Sequence, residues 1–275
     1  MRPDRRIQDR AMYGFVRFAM MVLSLSCIML FFSLTLLAEV RESANLRDME
    51  PEWTSGALVC FDLDNTLIRA EQMLGSDQWW DDLADGFIAA GMAEKEATDK
   101  AYDIWLPLQK ISRFIPVQPD GPAIVRGFQD RGALVMGLTA RPSRYSSLTS
   151  VQLASIGIDF LRGAPRSEPL DLHLRDAAHY ENGILFVGEH NSKGEALKAF
   201  LNATGLKPGK IVFADDKKKH VEGMEKVFGR GPVSYVGYRY GGADEWAKRY
   251  DRIIVEIQKK YMERILPDDA AVRLK

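Results

Sequence analysis

Val59-Cys60-Phe61-Asp62-Leu63-Asp64-Asn65-Thr66-Leu67 decides how this chain is read. A short apolar run, Ala57 to Phe61, predicts a buried strand, and two aspartates one residue apart end it abruptly. Side chains alternate along an extended chain, so Asp62 and Asp64 project to the same side. Two carboxylates that close repel each other, and the apolar strand beneath them offers no compensation. A hard, oxygen-seeking cation such as Mg²⁺ between them resolves the conflict. The D-x-D-x-T pattern alone also fits an Asp-rich turn capping a helix, so the remainder of the chain has to decide.

Downstream, apolar runs alternate with helical periodicity. From Thr66 to about Asp120 the spacing of Leu83, Phe87, Ile88, Ala101, Ile104, Trp105 and Leu108 predicts helices. Trp79 and Trp80 are expected to pack in that helical region. Ala123 to Phe128 predicts a short helix stopped by Gly132, and Ala133 to Leu138 a strand ending at Thr139-Ala140-Arg141-Pro142. A helix follows Pro142, and Ile158 to Leu161 is expected as a third short strand. Asn182-Gly183 reads as a turn feeding the strand Ile184 to Val187, one arm of a hairpin. Asn191-Ser192-Lys193 opens a helix, Lys210 to Ala214 is a strand ending in Asp215-Asp216, and a helix carries Val221 to Phe228. Val233 to Tyr238 is a last strand and Glu245 to Tyr261 a closing helix. Such alternation predicts an α/β fold: a Rossmann-like, mostly parallel sheet with helices on both faces. Its functional crevice lies at the carboxyl ends of the strands, where Asp62, Asp64, Thr139, Asp215 and Asp216 all fall.

Upstream, the first forty residues differ from the rest. Arg2, Arg5, Arg6, Arg10 and Arg17 precede 21 residues, Phe18 to Ala38, without a charge. That is close to the ~20 needed to span a bilayer, and a basic flank before an apolar run also fits a signal peptide. Residues 1–40 are therefore expected to be a cleaved signal or a retained anchor, exporting the globular part to the periplasm or cell envelope. Residues 18–38 would contact membrane if the segment stays. The polar stretch 41–56, with Pro51 and Gly56, reads as a linker into a domain over 57–275. Its net charge of -1 gives no footing for nucleic-acid binding. Cys27 and Cys60 make neither a disulfide framework nor a metal-type spacing.

These residue types together describe phosphoryl chemistry. A carboxylate can attack phosphorus and split one displacement into two. A second carboxylate can protonate the leaving oxygen and later activate water. A hydroxyl and a lysine can hold the phosphoryl oxygens, and a divalent ion offsets the repulsion between anions. The ordered set resembles the haloacid dehalogenase superfamily of phosphohydrolases, whose motifs run here from Ala57 to Asp216. The resemblance implies Asp62 as nucleophile, Asp64 as general acid/base, Thr139 as phosphate-binding hydroxyl and Lys193 as the charge-stabilising lysine. It implies Mg²⁺ held among Asp62, Asp64, Asp215 and Asp216, with Asp216 favoured over Asp215 for direct contact. Arg141, two residues after Thr139, is a further substrate-binding candidate. The segment of about 68–120 matches a helical cap insertion of that superfamily, and caps of this kind gate a site.

Gly75-Ser76-Asp77-Gln78-Trp79-Trp80, Leu138-Thr139-Ala140-Arg141, Asn182-Gly183-Ile184 and Asp215-Asp216-Lys217-Lys218-Lys219 further resemble the DUF2608 group of bacterial HAD-like proteins. The implied activity is Mg²⁺-dependent hydrolysis of a small phosphorylated metabolite or nucleotide. The alternative is a catalytically silent HAD-like binding protein of the envelope. Asn65 stands where many superfamily members have glycine, which asparagine's tolerance of left-handed backbone permits. His190 and His220 are read as structural, and the Lys217-Lys218-Lys219 run as a solvated loop.

Overall fold

The computed structural model describes residues 39–188, 190–261 and 267–275. The apolar run 18–38, and with it the signal or anchor expectation, lies outside them. Among the described residues no helix is long and apolar enough to cross a membrane.

The chain begins with β1 (Glu39–Ser43), a 3₁₀ turn (Leu46–Glu52) and β2 (Ala57–Phe61). After β3 (Ile68–Ala70) come α1 (Asp77–Ala89) and α2 (Glu94–Gln109), then β4 (Phe114–Pro116). Next are α3 (Gly121–Asp130), β5 (Leu134–Thr139) and α4 (Ser146–Ser155). β6 (Leu170–His173), β7 (Ala177–Glu181) and β8 (Ile184–Phe186) lead to α5 (Lys193–Thr204). β9 (Lys210–Asp215), α6 (Lys218–Phe228) and β10 (Ser234–Tyr240) come after it, then α7 (Asp244–Ala247), α8 (Arg252–Lys259) and α9 (Asp268–Arg273).

Eight of these strands form one sheet in the order β1-β10-β9-β2-β5-β8-β7-β6. The pairings from β1 through β8 are parallel, and β8-β7-β6 closes the sheet with antiparallel pairs. Every residue of β2 is buried, as a parallel strand covered on both faces requires. Alternation sends Val59 and Phe61 into one core with Ile124, Val125 and Phe128 of α3 and Leu153 of α4. Leu58 and Cys60 point the other way, to Leu197, Phe200 and Leu201 of α5 and Met224 of α6. The chain runs from β2 outward to β5 and β8, then returns to β9 and β10 on the other side. The carboxyl ends of β2 and β9 therefore flank the switch point where an open parallel sheet forms its crevice.

β3 and β4 form a small antiparallel pair that frames α1 and α2, so the helical insertion sits on two strand stalks. Trp79, Trp80, Ala101, Tyr102, Trp105 and Leu108 bury together, and core residue Tyr145 joins them. Tyr145 donates its hydroxyl to the Tyr102 carbonyl at 3.0 Å. Ser76 caps α1 by accepting from the Trp79 N–H.

Three expectations are corrected. The supposed linker is structure: β1 pairs in register with β10, and Leu46 and Met49 of the 3₁₀ turn are buried in the core. Arg41 fastens the strand by donating to Glu52 at 2.6 Å and to the Tyr238 hydroxyl at 2.8 Å. Ile158 to Leu161 is not a strand: Ile158 and Phe160 pack inward, but the backbone turns, with Leu161 N–H on the Asp159 carboxylate at 2.8 Å. The polar stretch before Asn182 instead supplies β6 and β7. The closing helix is broken between α7 and α8, where the Asp251 side chain caps α8. Ile254 and Val255 of α8 and Ala271 of α9 then pack on the inserted helices. The Asn182-Gly183 turn is as read: both residues have positive φ, 53° and 77°, the pairing that suits a two-residue hairpin.

Met49→Ala separates the linker reading from the structure. A linker residue would change stability by no more than ~0.5 kcal/mol. A fully buried methionine should cost about 2–5 kcal/mol in urea unfolding.

Candidate functional site

The switch point collects almost every residue singled out from the sequence. Asp62 directly follows β2, and its N–H donates to the Ala214 carbonyl at 2.9 Å, tying the end of β2 to β9. Lys193, the first residue of α5, is 3% exposed. Its ammonium donates to Oδ1 of Asp62 and to Oδ2 of Asp215, the latter at 2.6 Å. The other Asp62 oxygen accepts from the Thr66 hydroxyl at 3.2 Å, and the same hydroxyl accepts the Asp216 N–H at 3.1 Å. Asn65 makes this turn possible with φ of 58°, a conformation asparagine tolerates better than most residues.

Asp215 and Asp216 divide. Asp215 is wholly buried. Besides Lys193 it accepts the Lys217 N–H at 2.8 Å, and Nδ1 of His220 lies 3.1 Å from both its oxygens. Asp216 instead lines the open cleft, with Asp62, Asp64, Thr139, Arg141 and Lys193. Asp64 departs from expectation. Among the described residues, the carboxylate oxygens that could meet within reach of one metal ion belong to Asp62, Asp215 and Asp216. Both Asp64 oxygens are taken by Arg141, whose Nε and Nη2 each donate at 2.7 Å. The guanidinium that sequence analysis offered to substrate is committed further. Its Nη1 donates to Thr149 at 3.0 Å and Gln152 at 2.6 Å, and the side chain is 2% exposed.

Electrostatics follow from this packing. Burial pushes the Asp62 carboxyl up to about 7; Lys193 pulls it back and Asp215 pushes further. Burial alone would raise Asp215 too, but Lys193 and then His220 hold it at about 2. Asp216 is driven well above the usual carboxylate range by burial and by Asp62 and Asp215. Lys193 is raised by its two carboxylates, against the opposing effect of burial. His220 is lowered by burial and then by Lys193. Counted by formal charge, Asp62, Asp64, Asp77, Asp215 and Asp216 stand against Lys193, Arg141 and Lys217. Two negative charges are in excess, on oxygen donors that suit a hard divalent cation.

The cleft is small, about 30 Å³, whereas sites for small-molecule ligands usually run to roughly 300–1,000 Å³. Trp80 and Tyr102 of the inserted helices form part of its wall. Asp77 at the start of α1 latches that wall down by accepting from Asn65 at 3.2 Å and pairing with Lys217 at 3.1 Å. A ligand of ordinary small-molecule size therefore needs more room than this cleft offers. Sequence reasoning missed Thr66, Asp77, Lys217 and His220. Thr66 stood inside the quoted motif, Lys217 and His220 reach Asp215 from two and five residues further along the chain, and Asp77 joins only through tertiary contacts.

A family model described as "Protein of unknown function (DUF2608)" matches residues 37–272. The chain belongs to that family. Among the chain's relatives, a Chlamydia pneumoniae protein named "Putative outer membrane protein" is 27% identical over 83% of this chain and 84% of its own. A protein of the same name from Chlamydia trachomatis is 26% identical over 78% and 80%. An uncharacterised protein of Rickettsia prowazekii is 24% identical over 85% and 88%. No solved structure matches the chain.

Lys193→Met in this DUF2608 chain should be costly, because it strands two buried carboxylates. The expected loss without divalent cations is about 3–5 kcal/mol at pH 8. In the parent, Asp215 has a folded pKa below its unfolded value. Its contribution is thus fully present above the unfolded pKa and fades as pH falls towards 2. In the variant both carboxylates gain protons more readily than the unfolded chain, so acid relieves it. Urea unfolding at pH 8 and pH 5 should show the gap narrowing in acid; a gap independent of pH would contradict the assignment.

Proposed function

We propose that this chain is a Mg²⁺-dependent phosphomonoesterase of the haloacid dehalogenase type, working through Asp62. One observation carries the reading: Asp62 sits at the sheet's switch point with Lys193 on one oxygen and Thr66 on the other, facing a cleft shared with Asp64, Thr139 and Asp216. An oxygen so held is oriented for attack, and lysine contact limits the energetic cost of its charge.

In this reading Asp64 enters protonated; an Asp62 oxygen bonds to phosphorus as the bond to the leaving oxygen breaks, and Asp64 gives that oxygen its proton, becoming the carboxylate that Arg141 holds. Asp64 then takes a proton from water as water attacks phosphorus and frees Asp62. The Thr139 hydroxyl and Lys193 hold phosphoryl oxygens through both steps. Arg141 keeps the Asp64 carboxylate in one orientation rather than touching substrate. Asp62 and Asp216 would hold Mg²⁺, with Asp215 behind them fixing Lys193. The ion supplies charge neutralisation for the approach of one anion to another. The inserted helices act as the cap that admits and encloses the ester. The substrate is a small phosphorylated metabolite or nucleotide. The basic, apolar N-terminus and the names of the Chlamydia relatives support a site of action in the cell envelope.

The test is phosphate release from a panel of phosphomonoesters by the purified full-length protein. Release should require Mg²⁺, stop with chelator and return when the ion is restored. Asp62→Asn should lower it by about a thousandfold or more, since shape survives and nucleophilicity does not. Undiminished turnover by that variant would refute the mechanism.

A further inference from the structure

Trp80 is 6% exposed and forms part of the cleft wall, yet its indole Nε1–H is buried without a hydrogen-bond partner. A buried donor left unpaired forfeits its hydration with nothing in return, so such a group is normally satisfied. Three other buried polar atoms are orphaned among the described residues, on Trp53, Gln72 and Gln78. None of those three residues lines this cleft. Trp80 is also firmly seated: its ring packs on Tyr102 with centroids 4.8 Å apart. Tyr102 in turn packs on Tyr145 at 5.5 Å. The indole therefore cannot turn to find a partner without breaking an aromatic stack. The cleft holds several carboxylates, and none of them takes this N–H.

We infer that the Trp80 indole N–H is a ligand-binding donor carried by the cap, and that its acceptor is an oxygen of the bound phosphoryl group. This rests on the phosphoryl-transfer reading of the site and adds a contact from the cap side of the cleft. Thr139 and Lys193 grip the group from the sheet, and Trp80 meets it from the inserted helices. The unpaired donor then has a use: the cap is less comfortable over an empty cleft than over a filled one. Phosphate thereby favours closure, since a ligand shifts a conformational equilibrium only through what it contacts in one state and not in the other.

Trp80→Phe keeps an aromatic ring on Tyr102 and removes the donor. Orthophosphate and vanadate binding in Mg²⁺, measured by calorimetry, should weaken at least fivefold. The melting temperature without ligand should not fall below the parent's, because the orphan donor has gone. Unchanged affinity would overturn the inference, as would weakened affinity in a variant that melts lower by the same margin with and without phosphate. If Trp80→Phe fails to fold, the parent carries the test by ¹⁵N-indole NMR. The Trp80 indole proton should move downfield on saturation with orthophosphate, and an unmoved resonance overturns the inference. A parent that hydrolyses no phosphomonoester and binds neither anion removes the phosphoryl reading itself. Hydrolysis with an unmoved Trp80 removes this inference alone.

Discussion

One ammonium group organises the functional end of this molecule. Lys193 lies between Asp62 and Asp215, buried with both, and each of the three is tolerable there only because of the others. This contact joins elements far apart in the chain: the end of β2, the start of α5 and the end of β9. It also explains the split of the aspartate pair. Asp215 turns inward to hold the lysine, with His220 and the Lys217 N–H completing its partners. Asp216 is left facing the cleft, where it and Asp62 present oxygen to whatever enters.

A single lysine does not balance the site. Arg141 neutralises Asp64 through two parallel bonds, which is geometry as well as charge. What remains is an excess of negative charge at Asp62 and Asp216, and both groups are pushed towards taking protons. On the proposed reading, that excess is what a divalent cation would offset. The inserted helices close over it with a wall of aromatic rings, and the C-terminal helices brace those rings from behind. Arg141 is itself covered by the cap, its guanidinium 5.1 Å from the centre of the Trp105 ring. Gln152, which holds Arg141, donates to the Gln109 carbonyl of α2 at 3.2 Å. Cap position and the setting of Asp64 are thus mechanically linked.

The central strands were legible because each is an apolar run that stops at a polar residue: Phe61-Asp62, Leu138-Thr139, Ala214-Asp215. That same pattern placed the site, since polar residues at strand ends are what a crevice requires. β1 was not legible. Glu39, Arg41 and Glu42 are charged because an edge strand buries little, and its stability comes from Arg41 reaching Glu52 and Tyr238 across the fold. β6 did carry a period of two, Leu170 and Leu172 against Asp171 and His173, but the run is too short to stand out from a polar loop. The Ile158 to Leu161 run failed the other way: Ile158 and Phe160 are apolar for packing, not for pairing. Within the site, residue identity located Arg141 but not its partner. Only the fold brings Asp64 and Thr149 to the same guanidinium.

The most direct test of the account is chemical trapping of the nucleophile. The full-length protein is mixed with Mg²⁺ and a phosphomonoester it hydrolyses, quenched with borohydride during turnover, and mapped by peptide mass spectrometry. An aspartyl-phosphate is reduced by borohydride to homoserine, so the modification should appear at position 62, depend on both ester and Mg²⁺, and be absent at Asp64, Asp215 and Asp216. Steady phosphate release with every one of these aspartates unmodified would contradict a covalent role for Asp62.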